Sequence, residues 1–264
     1  MTNRRRFIQL ASLTAAAFPR TASASAAVTD AFPSQTKELA EEMVVVSHGN
    51  VVRVKELVAK HPTLAKATFD WGFGDWEMAL GAASHVGSRE IAELLIANGA
   101  HPTIFSAAML GQLDTVKAFV TASPGIQKTR GPHSISLMRH AVAGGARAAA
   151  VVEYLKTIDG ADDKVATQPL TAEDIAKLTG VYTFGVAAHD KLEVTAAANN
   201  TVQIARPGRF ARGLFHLGSW TFCPIGAENV RIVFAEAPGA PGNQATLTVT
   251  VRDPDPVVTA RKVG

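Results

Sequence analysis

From Glu38 onward, apolar residues recur at three- and four-residue spacing in short runs, and each run stops at glycine or proline. Leu39, Met43 and Val46 lead to Gly49; Val51, Val54, Leu57 and Val58 follow and end at Pro62. Leu80, Ala82 and Ala83 lead to Gly87, and Ile91, Leu94 and Leu95 to Gly99 and Pro102. Ala107 and Ala108 precede Gly111, with Val116, Ala118 and Phe119 beyond it up to Pro124-Gly125. A fourth unit runs from Gly131 to Ile158 around Gly144-Gly145, with a longer junction. The i, i+3, i+4 spacing predicts paired amphipathic helices. Glycine stands where a helix end needs left-handed backbone. Pairs this short cannot bury both apolar faces alone and call for stacked neighbours.

The period changes after a polar, turn-rich segment, 159–169. Leu170–Leu178 predicts one short helix with Thr171 as N-cap and Asp174 three residues on. Alternating runs then follow at Lys191–Ala197, Thr201–Arg206, Phe210–Leu217, Trp220–Cys223, Val230–Ala235 and Ala245–Arg252. Asn199-Asn200, Pro207-Gly208, Gly218-Ser219 and Pro238-Gly239 punctuate them. Such a rhythm predicts an antiparallel sandwich or barrel. The expected fold class is α+β: a helical array over 36–158, a linker over 159–169 and an antiparallel β domain over 170–264.

The helical half resembles an ankyrin-repeat array of about four repeats. The resemblance rests on Gly87 at the inter-helix turn, Leu94-Leu95 after it and Gly99-Ala100 beyond, echoed by Ala107, Ala108 and Gly111. Two departures stand out: Met78-Ala79-Leu80-Gly81 and Pro102-Thr103-Ile104-Phe105 replace the family's Thr-Pro-Leu-His, and Gly87 to Gly111 is only 24 residues. Leu178-Thr179-Gly180-Val181-Tyr182 resembles the opening of small β domains appended to exported bacterial hydrolases. Together these imply a protein–protein interaction scaffold gripping an unidentified partner in the cell envelope. The alternative is a small-ligand-binding protein that uses the β domain as a barrel.

Composition enters through the first residues. Arg4-Arg5-Arg6-Phe7-Ile8, an apolar run from Leu10 to Phe18 and small-residue sites at Ala22-Ser23-Ala24-Ser25-Ala26 form an export leader over 1–26. It resembles a twin-arginine signal, which implies a bacterial protein delivered folded to the periplasm or secreted. The chain's +3 charge is a property of this leader: removing its four arginines leaves 22 basic against 23 acidic residues. Nucleic-acid binding therefore loses its electrostatic support. No later apolar run is long enough to span a membrane. The single cysteine, Cys223, excludes an intramolecular disulfide and reads as a buried thiol.

No nucleophile–base set, Gly-x-Ser-x-Gly elbow, His-Glu-x-x-His, phosphate loop or cysteine pair is present. The expectation is therefore no enzyme, no catalytic residue, no metal and no cofactor. His48 and His85 precede turn glycines and read as structural, and a metal pair of His85 with His101 is disfavoured. Phe69, Trp71, Phe73 and Trp76 place four aromatic rings within eight residues. They are the candidate partner-binding residues, since exposed tryptophan is a common interface anchor. Arg206, Arg209 and Arg212 flank Phe210 and are the candidate residues for an anionic ligand.

Overall fold

Thr36 opens the first helix by accepting a hydrogen bond from the Leu39 amide, giving α1, Lys37–Val46. Asn50 does the same for α2, Val51–Lys60. The structure, a computed structural model, describes residues 34–238 and 246–263. A 3-10 turn, Pro62–Lys66, then leads into a short hairpin, β1 (Thr68–Asp70) and β2 (Trp76–Met78). The hairpin pairs Phe69 with Glu77. The helices α3 (Ala79–His85), α4 (Arg89–Ala97), α5 (Ile104–Met109), α6 (Leu113–Ala122), α7 (Leu137–Ala143) and α8 (Ala149–Lys156) follow.

Helix α3 is the hub, packing on α1, α4, α5 and α7. Its sequence explains this: Ala79, Gly81, Ala82, Ala83 and Ser84 are small and fully buried, so four neighbours approach closely. Gly87, just beyond, has φ +76°, and a Cβ there would lie 2.2 Å from the Ala143 carbonyl oxygen. Only glycine fits. Two apolar cores result, one around Met43, Leu57, Leu80, Ile91 and Leu95. The other centres on Ile104, Val116, Leu137, Val151 and Leu155.

The segment 159–169 is pinned at both ends. Ala161 accepts from the Met138 amide, and Gln168 donates to the His216 carbonyl. Helix α9, Ala172–Leu178, starts with the expected capping box of Thr171 and Asp174. Eight strands follow: β3 (Gly180–Thr183), β4 (Lys191–Ala197), β5 (Thr201–Ala205), β6 (Arg212–Gly218), β7 (Thr221–Pro224), β8 (Arg231–Ala237), β9 (Thr246–Asp253) and β10 (Asp255–Val263). They close into an antiparallel barrel in the order β10-β3-β4-β5-β6-β7-β8-β9. Inward residues alternate along the strands, as with Leu192 and Val194 in β4.

An eight-stranded barrel leaves room for little beyond its own side chains. Tyr182, Phe222 and Phe234 fill it, meeting edge to face at centroid separations of 5.7 and 5.5 Å. The Tyr182 hydroxyl donates to the Leu178 carbonyl at 2.7 Å, tying α9 to the barrel. Residues 35–264 cluster as one compact unit.

The chain is thus a mixed α+β protein with a helical N-terminal part and an antiparallel C-terminal barrel. Two expectations are corrected. No ankyrin-repeat array is present: the described residues hold nine α-helices of six to ten residues with unequal junctions. A β-hairpin interrupts them once, before α3, and two 3-10 turns separate α6 from α7. Glycine-punctuated apolar triplets are what any antiparallel helix pair requires, so they do not by themselves specify repeated units. Nor is the β part a small appended domain, because its eight strands form a complete closed barrel. The proposed leader, 1–26, lies outside the described residues. No described helix is long and apolar enough to cross a membrane.

Candidate metal centre

Alternation in β2 turns Trp76 outward, 63% exposed, and Glu77 inward, fully buried. A buried carboxylate must be compensated or it takes up a proton. Three histidines from separate elements surround it. His48 follows the C-cap of α1, His85 is the last residue of α3, and His133 lies in the loop before α7. Their Nε2 atoms stand 3.5, 2.9 and 3.4 Å from the Glu77 carboxylate oxygens. His48 and His85 are 3.2 Å apart, Nε2 to Nε2. One ligand atom from each of the four residues falls within 4.8 Å of every other.

The opposite edges of two rings are held. His48 Nδ1 lies 3.1 Å from the Val44 and Val45 carbonyl oxygens, which can only accept, so Nδ1 carries the proton. That leaves Nε2 facing Glu77. His133 Nδ1 lies 2.7 Å from the Asp75 carboxylate, and the His133 amide donates to the same carboxylate at 3.0 Å. The loop is built for this contact: His133 has φ +59° and Ser134 φ +60°. Two successive non-glycine residues in the left-handed region are a strained backbone that surrounding contacts must hold. Arg212 of β6 donates to Asp75 and, at 2.7 Å, to the Ile225 carbonyl. The Trp71 indole N–H donates to Glu77 at 2.7 Å.

Electrostatics follow. Burial alone would raise Glu77, but the neighbouring imidazoles of His133 and His85 outweigh it and hold the carboxyl at about 2. Burial would lower His133, yet Asp75 and Glu77 lift it to about 9 in the metal-free site. Asp75 is held below its ordinary value against burial by His133 and Arg212. Nearby His140, fully buried, is pushed down to about 4 by desolvation and stays neutral.

The donors fit a transition-metal ion. Bonds of about 2.0–2.1 Å to imidazole and carboxylate, arranged tetrahedrally, give ligand–ligand edges of about 3.4 Å. The separations from His48 and His133 to Oε2, from His85 to Oε1 and between His48 and His85 lie near that edge, at 2.9–3.5 Å, and all donor pairs fall within 4.8 Å. Glu77 Oε1 supplies a second test. It is buried without a hydrogen bond although His85 Nε2 is only 2.9 Å away. The ring nitrogen is close but not aligned to donate, as two donors facing a common cation would be. A carboxylate on the far nitrogen of His133 and carbonyls on that of His48 are the outer contacts that orient metal-binding imidazoles.

The residues singled out from sequence divide between this centre and the cleft beside it. Phe69 is buried in β1, and Trp71 is half-buried against Glu77 and the rings of His48 and His133. Phe73 packs on the barrel core, and Trp76 is exposed. Arg212 is half-buried in its pair with Asp75, whereas Arg206 and Arg209 are exposed. Cys223 is a buried free thiol. His85 joins the cluster and His101, exposed, does not. Sequence reasoning read His48, like His85, as structural and passed over Glu77 and His133. The one available signal was Glu77 itself, an acid at an inward position between Trp76 and Met78. No protein-family model matches the chain and no curated protein matches it, so the site's own geometry carries its reading.

Proposed function

We propose that this protein binds one divalent first-row transition ion, with zinc the best match, through His48, Glu77, His85 and His133. The single observation behind this reading is the buried carboxylate with three imidazole nitrogens within 3.5 Å of its oxygens. Three nitrogens and one oxygen suit zinc, cobalt or nickel rather than calcium or magnesium, which take oxygen donors. The ion joins the end of α1, β2, the end of α3 and the loop before α7. Through Asp75 and Arg212 it also braces the barrel.

The test uses full-length protein dialysed against a weak chelator. One equivalent of zinc should remain, and cobalt replacement should give the visible spectrum of a tetrahedral site. Protein that retains no zinc and binds none in a chelator competition overturns the reading. Delivery across the inner membrane remains a proposal carried by the arginine-led leader; it is checked by fractionation of cells. Binding of a protein partner through the aromatic segment is left to Trp76, since Phe69 and Trp71 face inward.

A further inference from the structure

On the far side of Trp71 from the metal centre, a cavity of about 620 Å³ opens between the β1–β2 hairpin and one mouth of the barrel. Its floor is apolar, made by the barrel residues Leu192, Ile204 and Val251. Trp71, Phe73, Trp76 and Phe210 wall it with aromatic rings. Trp76 and Phe210 are 63% and 55% exposed, a large apolar surface to leave facing water. Arg206 and Arg209 stand at the same rim. Neither has a carboxylate partner among the described residues; Arg206 instead lies 5.5 Å over the Phe184 ring. Two acids line the wall, Glu41 and Asp70, against four cations, Lys37, Arg206, Arg209 and Arg212; Asp70 is occupied by the amides of Gly72 and Gly74 at 2.8 and 3.2 Å.

We infer that this cavity binds a small amphipathic anion: a flat aromatic or acyl body on the aromatic walls, with one carboxylate or sulfonate at Arg206 and Arg209. The volume suits a small molecule. Rings at the rim offer a low-entropy apolar surface, and two unpaired guanidiniums favour an oxyanion over a neutral group. The deep barrel interior, filled by Tyr182, Phe222 and Phe234, plays no part; only the core side chains at its mouth do. The inference is independent of the metal: none of the four donors faces the cavity, and Trp71 is the shared wall.

Titration of metal-loaded full-length protein with laurate and with 8-anilinonaphthalene-1-sulfonate tests it, read by Trp fluorescence and calorimetry. Saturable one-to-one binding is expected. Replacing both arginines (R206Q with R209Q) should weaken both anions at least tenfold while changing the uncharged N-phenyl-1-naphthylamine less than twofold. Trp76→Ala should weaken all three probes. No saturable binding, or equal loss of anionic and neutral probes in the arginine double variant, overturns the proposal. Repeating the titration after zinc removal separates the two readings. Anion binding with no zinc retained defeats only the metal assignment, and zinc retention without anion binding defeats only this one.

Discussion

Glu77 has no exposed surface, and its charge is balanced only by the groups around it. Glu77→Gln removes a donor and leaves His133 with one carboxylate neighbour instead of two. Zinc affinity should fall more than 100-fold by chelator competition. In metal-free protein the substitution should cost about 3–5 kcal/mol, the usual penalty for removing one partner of a buried charge cluster, read from urea midpoints. The pH dependence of metal-free protein follows from three shifted groups. His133, raised from 6.5 to about 9, stabilises fully below 6.5 and loses that contribution as pH climbs through 9. His140, lowered from 6.5 to about 4, stabilises above 6.5 and loses it as pH falls toward 4. Glu77, held at about 2 against an ordinary 4.5, adds a further loss below 4.5. Denaturant midpoints of chelated protein should therefore peak near pH 6.5. Zinc should flatten the alkaline limb, because coordination replaces the proton on His133. It should steepen the acid limb, because protons then compete for the ligands. An alkaline limb unchanged by zinc would exclude His133 from the donor set.

At the scale of elements, strand β7 and the loop after it reach the metal centre without supplying a ligand. Gly226 has φ +87°, and a Cβ there would sit 2.2 Å from the Asp75 carboxyl carbon. Its amide donates to the Ser134 hydroxyl at 2.7 Å. Gly226→Ala should push Asp75 off His133 and release Ser134 together. Such loss of an outer contact typically lowers metal affinity about 10- to 100-fold. Zinc competition is the measurement, with circular dichroism showing that the barrel persists. Gly87→Ala acts on the frame that positions His85, forcing α7 away from α3 through the Ala143 carbonyl. It should lower the melting temperature of metal-free and loaded protein alike.

For the molecule as a whole, Arg212 is one charged tie between its two parts. It stands at the start of β6 and donates to Asp75, which sits in the hairpin and grips His133 from the loop before α7. Arg212→Met should leave Asp75 buried without its guanidinium partner, so barrel and helical part should unfold less cooperatively. Hydrogen exchange should then show the β1–β2 hairpin and residues 131–135 opening at lower free energy than the barrel strands. Zinc should slow exchange in the wild-type protein at the ends of α1 and α3 as well, since both supply ligands.

Local pattern was enough for most elements, though not for β1, β2 or β10. The turn glycines, the Thr171–Asp174 cap and the alternating runs mark where backbone and burial demands are local, and the helices and strands they mark lie near them. The change of period near 159–169 precedes the barrel, although helix α9 lies beyond it and the β1–β2 hairpin before it. Beyond that, pattern misled or fell silent. Helix pairs of unequal length read as repeats because the spacing of apolar residues records which face is buried, not what it is buried against. Barrel closure depends on β10 pairing with β3, a contact between residues almost eighty positions apart that leaves no local trace. The metal centre is of the same kind. His48, Glu77, His85 and His133 span 48–133, and no two of them share a ligand-type spacing on one helix. Only the packing of α3 against α1 and α7 brings their donors within bonding reach of one ion.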